Sequence, residues 1–159
     1  MPGKEILYAT DYSDASQAAL PLAASLARDR GATLLIAHVS QREPYPVGEL
    51  FDEEFQPAEG ELEELKAVVP DDPTVKFEHR LLYGAPGSTK FTNPADELLK
   101  LAEQENVEAI VVGTHGRSRL VQLLMGSVAE SVVRRACCPV ITVKQPSCAW
   151  QTSEPKRSP

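Results

Sequence analysis

Short apolar runs recur along the chain. Ile6-Leu7-Tyr8-Ala9, Leu34-Leu35-Ile36-Ala37 and Ala109-Ile110-Val111-Val112 are apolar at consecutive rather than alternate positions. Such runs suit strands that are covered on both faces. They predict strands over Lys4–Thr10, Thr33–Val39 and Ala109–Val112. Alternation over Thr74–Leu82 predicts another, and Pro139–Lys144 a last one whose opening proline fits a strand start or an edge. Between them the period changes. Ala19, Leu22, Ala23, Leu26 and Ala27 recur at helical spacing within Ala15–Arg30, after Ser13 or Asp14 as a cap and before Gly31 as a terminator. Pro21 breaks the pattern, either as a kink or as a sign that the helix is rooted later. A short helix is expected over Glu61–Val69, stopped by Pro70. Another spans Pro94–Glu105, with Leu98, Leu99 and Ala102 on its apolar face, and a last one Ser127–Ala136.

Five strands thus alternate with four helices. The expected fold is α/β: an open five-stranded parallel sheet, Rossmann-like and doubly wound, with helices on both faces. Residues 1–144 form the domain, and 145–159, rich in Ser, Pro, Lys and Arg, read as a disordered tail. Ser40–Gly60 and Tyr83–Asn93 read as long loops. In such sheets a ligand sits at the carboxyl edge where the strand order reverses. That reversal is expected between the first and fourth strands, which end at Asp11 and Gly113.

The stretch following the fourth strand carries the candidate chemistry. Gly113 to Ser127 reads Gly-Thr-His-Gly-Arg-Ser-Arg-Leu-Val-Gln-Leu-Leu-Met-Gly-Ser. It joins a buried strand to a helix start, where backbone N–H groups lack helical partners and the macrodipole favours an anion. Gly113 and Gly116 are bare enough for close approach of a ligand. Gly126-Ser127 adds a second bare site and a hydroxyl, and Arg117 and Arg119 add cations. A polyphosphate cradle is the working reading; plain turn glycines and a capping serine are the structural alternative. Asp11 is suited to ribose hydroxyls or to helping hold a divalent cation, or else to an Asx-turn or helix cap. Ala9 and Val39 offer main-chain bonds and an apolar wall. His38 reads as a hydrogen-bonded core residue and His115 as a surface histidine. Gly84-Ala85-Pro86-Gly87-Ser88-Thr89-Lys90 is not a P-loop, because Lys90 follows Gly-Ser-Thr instead of Gly.

Composition narrows the partners. A net charge of −7 argues against nucleic acid and anionic membranes. Within that acidic chain, residues 113–144 carry five Lys/Arg (Arg117, Arg119, Arg134, Arg135, Lys144) against one acid, Glu130. Arg134 and Arg135 are accounted for by a helix C-terminus. No apolar run approaches a membrane span, and Met-Pro-Gly-Lys-Glu is no signal region, so a cytoplasmic protein is expected. Three cysteines, with Cys137 and Cys138 adjacent and Cys148 in the tail, make neither a disulfide framework nor a metal site. Cys137 and Cys138 read as small buried residues at a helix end.

The glycine stretch, continued by Val128-Ala129-Glu130 and Cys138-Pro139-Val140, closely resembles the nucleotide-binding signature of the universal stress protein family. Ile6-Leu7-Tyr8-Ala9-Thr10-Asp11-Tyr12-Ser13 resembles that family's opening strand and loop, and the resemblance covers roughly residues 4–144. The spacing Gly-x2-Gly-x9-Gly-Ser is that of its ATP-binding subgroup. The resemblance implies ATP as ligand, with Mg2+ as a further possibility, and contacts from Ala9, Asp11 and Val39. The implied contacts continue through Gly113, Thr114, His115, Gly116, Arg117, Ser118 and Arg119 to Gly126, Ser127, Val128 and Ala129. It also implies a homodimer through the last strand, Val140–Val143, which has its own motive in an otherwise exposed apolar edge. Two departures are visible: Ala9 stands where many ATP-binding relatives have Pro, and extra residues lie between Gly84 and Pro94. The expected function is a stress-response regulator that binds ATP with little or no hydrolysis, the alternatives being a nucleotide-free dimerisation module or a slow ATPase. A pyrophosphatase-type enzyme would need a Ser-Gly-Gly-x-Asp-Ser-like loop where Asp11-Tyr12-Ser13-Asp14 stands. A phospho-receiver would need an Asp where Leu82-Tyr83-Gly84 stands.

Overall fold

The structure is a computed structural model that describes residues 4–40, 59–83, 92–114 and 126–145. Along the chain these form β1 (Glu5–Ala9), α1 (Asp14–Arg30), β2 (Thr33–Val39), α2 (Glu59–Lys66) and β3 (Phe77–Leu82). There follow α3 (Pro94–Glu105), β4 (Ala109–Gly113), α4 (Ser127–Arg135) and β5 (Val140–Val143). The strands make one sheet in the order β3-β2-β1-β4-β5, every neighbouring pair parallel. The expected reversal between the first and fourth strands is therefore present.

The apolar runs are continuous because the central strands are covered on both faces. Ile6, Tyr8, Leu34, Ile36 and Val111 pack on Ala19, Ala23 and Ala27 of α1 and Leu65 of α2. Leu7, Leu35, Ala37, Ile110 and Val112 pack on Leu98 and Leu101 of α3 and on Ala129 and Val132 of α4. Burial of apolar surface on two opposed faces supplies most of the stabilisation of such a sheet, at about 25 cal/mol per Å² removed from water.

Ser13 caps α1 by accepting from the Ser16 N–H, and Gly31 closes it in the left-handed region at φ 62. Pro21 does not delay the helix, which runs unbroken from Asp14 to Arg30. It sits on the exposed side, so the Gln17 carbonyl that loses its partner faces water. Leu22, expected on the inner face, is likewise outward. The second helix runs two residues ahead of expectation and stops at Lys66, because Pro70 disfavours helix at Val69 and crowds the carbonyl four residues back. The strand expected from Thr74 begins at Phe77. Asp72 accepts from the Thr74 N–H at 2.9 Å and the Thr74 hydroxyl at 2.6 Å, which holds the preceding residues in a turn. The cysteine pair also differs from expectation: Cys137 is exposed and Cys138 half-buried. α4 ends at Arg135 and Ala136 is extended, so the two residues straddle the bend into β5, with Cys138 against the core and Cys137 in solvent.

Gly113 has a packing reason to be glycine. A Cβ there would lie 2.8 Å from the Ala15 carbonyl carbon and 2.8 Å from the Ser16 nitrogen. Both are backbone atoms of the first turn of α1, so nothing at the contact can swing aside. The bare Cα, expected to admit a ligand, also lets helix and strand meet. Gly113→Ala should therefore cost stability by about 1–3 kcal/mol through overpacking. Thermal melts without any ligand should show the loss; an unchanged melt would show that α1 does not press on β4.

Candidate functional site

A cleft of about 570 Å³ opens at the carboxyl ends of β1, β2 and β4. Its floor is Ala9, Thr10, Asp11 and Tyr12 from the end of β1, with Ser16 below. Ala37, His38 and Val39 of β2 and Glu61 and Glu64 of α2 form one wall. Pro94 and Leu98 of α3 lie over it. Val112, Gly113 and Thr114 of β4 with Gly126, Ser127, Val128 and Ala129 of α4 form the opposite wall. The size suits a ligand of drug or nucleotide dimensions.

Local chemistry fixes each part. The turn after β1 is held by its own side chains. Asp11 Oδ1 accepts the Ser13 N–H at 3.0 Å, an Asx-turn, and also the Ser13 hydroxyl. Tyr12 takes φ 64 and donates its N–H to Thr10 Oγ1 at 3.0 Å. Beneath, the Tyr8 hydroxyl donates to the Ser16 carbonyl at 2.6 Å, and burial pushes that phenol above its ordinary range. His38 is hydrogen-bonded as expected: its Nδ1–H donates to the Thr10 carbonyl at 2.8 Å, and its ring lies 4.5 Å from that of Tyr12. It is only half-buried, however, and lines the cleft.

The opposite wall is built from backbone. Thr114 donates its N–H to the Val143 carbonyl at 3.0 Å, and its own carbonyl accepts the Gly126 N–H. Residues 114 and 126 are thereby neighbours in the lining of the cleft. Gly126, at φ −67 and ψ 157, is the N-cap of α4, and as a glycine it brings no side-chain cap. Ser127 is therefore the first helical residue, not the cap that a serine at a helix start suggests. The first turn of α4 lines the cleft and brings the positive end of the helix dipole to it.

Of the sequence-expected site residues, Ala9, Asp11, Val39, Gly113, Thr114, Gly126, Ser127, Val128 and Ala129 meet around this one cleft. His115, Gly116, Arg117, Ser118 and Arg119 lie outside the described residues, as do the loops at 41–58 and 84–91, Lys90 and the tail from 146 with Cys148. The described lining contains Asp11, Glu61 and Glu64 but no Lys or Arg. Sequence reasoning missed Thr10, Tyr12, Ser16, Glu61, Glu64, Pro94 and Leu98 as lining. For Pro94 and Leu98 a signal existed: a helix that follows a parallel strand starts at the carboxyl edge, where the site was expected. Glu61 and Glu64 follow a long stretch without periodicity, and nothing in the sequence places them.

Among the described residues no helix is long and apolar enough to cross a membrane, and no three His, Cys, Asp or Glu side chains gather as a metal site.

Comparison with known proteins identifies the architecture. The profile of the universal stress protein family matches residues 3–144. Universal stress protein MJ0531 of Methanocaldococcus jannaschii is 33% identical over 153 residues, covering 90% of this chain and 83% of that protein. A universal stress protein solved in complex with cAMP superposes with a TM-score of 0.58 at 25% identity, over 91% of this chain and 98% of the other. One from Archaeoglobus fulgidus solved with dAMP superposes with a TM-score of 0.60 at 24% identity, over 91% and 100%. With the profile spanning nearly the whole described fold, the chain belongs to the universal stress protein family.

Proposed function

We propose that this protein is a regulatory module that binds an adenine nucleotide, ATP foremost, and hydrolyses it slowly or not at all. The observation that carries the reading is the uncapped amino terminus of α4, opening into a cleft at the strand-order reversal. An anionic tail would take the first-turn amides of Ser127, Val128 and Ala129, with Gly113 and Thr114 alongside. His115, Gly116, Arg117, Ser118 and Arg119, in the segment that leaves Thr114, would complete the cradle as their sequence pattern suggests. Asp11 stands between the two walls, where ribose hydroxyls would fall. Ala9 and Val39 would back the base. Relatives solved with cAMP and dAMP hold adenine, which favours that base over others. Any Mg2+ would travel with the phosphates, since the described residues build no cluster for it.

The test removes one donor without disturbing the helix. Proline is well tolerated at the first helical position, and Gly126 already has the extended conformation that a following proline requires. Ser127→Pro should retain the wild-type melting temperature and weaken ATP binding by about tenfold in calorimetric titration, the scale of one charge-assisted hydrogen bond. Unchanged affinity would remove the helix terminus from the site.

The same reading includes a homodimer through β5. That strand is at the edge of the sheet, with all four residues half-buried. Ile110 and Thr114 donate to the Pro139 and Val143 carbonyls. The alternation of the ladder therefore turns the Thr142 N–H outward, away from β4. Thr142→Pro should leave the fold intact and convert a dimer to a monomer in sedimentation velocity. A monomeric wild type would contradict pairing through this edge.

A further inference from the structure

We propose that a carboxyl pair at the amino edge of the sheet, Glu5 of β1 and Glu105 of α3, is a proton-operated latch: Glu5 takes up a proton as the medium turns acidic and donates it in a hydrogen bond to Glu105. The pair lies at the opposite edge of the sheet from the cleft, and its role does not rest on the nucleotide reading.

The sequence puts an acid where an acid is costly. Glu5 opens β1, a central strand paired with β2 and β4, and is half-buried. Its Oε2 is sealed from solvent and has no hydrogen-bond partner among the described residues. An oxygen left so carries a desolvation cost. The side chain within hydrogen-bonding reach of Glu5 is another carboxyl, that of Glu105, the last residue of α3. Ionised carboxylates only accept, so neither can satisfy the other until one carries a proton. Glu78 of β3 adds a further negative charge. Arg80 of β3 is the cation facing Glu5, and its guanidinium is engaged elsewhere. Its Nη1 lies 2.8 Å from Glu78 Oε2 and its Nη2 3.8 Å from Glu105 Oε1. Glu108, just before β4, donates its N–H to the Glu5 carbonyl at 2.8 Å and turns its carboxylate to Arg30, with Lys4 acting on that carboxylate too. On the β2 side Glu5 faces Thr33, which carries no charge. The last turn of α3 contains no basic residue, and the negative end of a helix dipole disfavours a carboxylate there. Three carboxylates thus share one guanidinium.

Burial first, then the charges of Glu105 and Glu78, push the Glu5 carboxyl above its ordinary range, against the pull of Arg80. A carboxyl raised on folding binds its proton more tightly in the folded chain than in the unfolded one. Its contribution to stability is complete below the ordinary glutamate value of about 4.3 and is lost as pH rises through the raised value. With the proton on, Glu5 is a donor and ties the start of β1 to the end of α3. With the proton off, like charges push the two apart.

Carboxyl-detected NMR of the full chain reads the proton directly. The Glu5 side-chain carboxyl should titrate above about 4.3. In Glu105→Gln, whose amide can donate to Glu5 without the proton, the titration should move toward the ordinary value. Thermal melts without nucleotide read the latch. Glu5→Gln carries a permanent donor, so at about pH 8 it should melt about 2–4 °C above wild type, the scale of one hydrogen bond gained in a domain of this size. At about pH 4, where wild type holds the proton as well, the gain should shrink to about 1 °C or less. Glu103→Gln, exposed on the same helix, removes a charge outside the pair and should stay within about 1 °C of wild type at both pH values. A wild-type Glu5 that titrates at or below the ordinary value overturns the latch. So does a Glu5→Gln variant with no gain at high pH, with the same gain at both pH values, or with a gain that Glu103→Gln reproduces.

Discussion

The reversal of strand order between β1 and β4 is the constraint on which the site depends. From β1 the chain leaves through α1 toward β2 over one face; from β4 it leaves through α4 toward β5 over the opposite face. Connections leaving the two central strands in opposite directions cannot cover the carboxyl edge between them. The gap needs no special residue to exist. What the residues decide is its depth and polarity. Gly113 sets the depth by letting the first turn of α1 lie directly against the end of β4. Gly126 sets the polarity by starting α4 without a side-chain cap.

These two glycines sit in one motif and serve different ends. Gly113 is bare because a helix backbone occupies the space where its Cβ would be. Gly126 brings no side-chain cap to the helix start. A third element joins them: the Thr114 carbonyl accepts the Gly126 N–H, so the strand end and the helix start are one local unit although the chain between them is long. The described lining carries three acids and no Lys or Arg. Attraction for an anion at the α4 wall therefore rests, among the described residues, on backbone dipoles, which act at short range and are screened by salt.

The sheet was legible in the sequence because buried parallel strands leave uninterrupted apolar runs, and Ile6 to Ala9 or Ala109 to Val112 admit few other readings. α3 was legible to the residue, since Pro94 opens it and Asn106, in the left-handed conformation, closes it. Where expectation and structure part, a local hydrogen bond or ring outweighs the period. The Asx-turn at Asp72 delays β3, and Pro70 shortens α2 from a distance of four residues. Asp11 shows why a candidate list is not a site. The residue lines the cleft as expected, and one oxygen holds the Asx-turn of the β1–α1 connection, which was its structural alternative. Glu61 was invisible because its place depends on a contact to Ser40 across 21 positions of chain. Periodicity reports which face a residue has, and not which distant residue it meets.

The central claim is that an adenine nucleotide lies across this cleft from the end of β2 to the start of α4. The most direct measurement is a map of backbone amide chemical shifts during titration of the isotopically labelled protein with ATP. The account predicts saturable changes confined to Ala9–Tyr12, Val39, Gly113, Thr114 and Gly126–Ala129 among the described residues, with those on the outer faces of α1 and α3 unmoved. No saturable change, or changes centred on another surface of the protein, would contradict it.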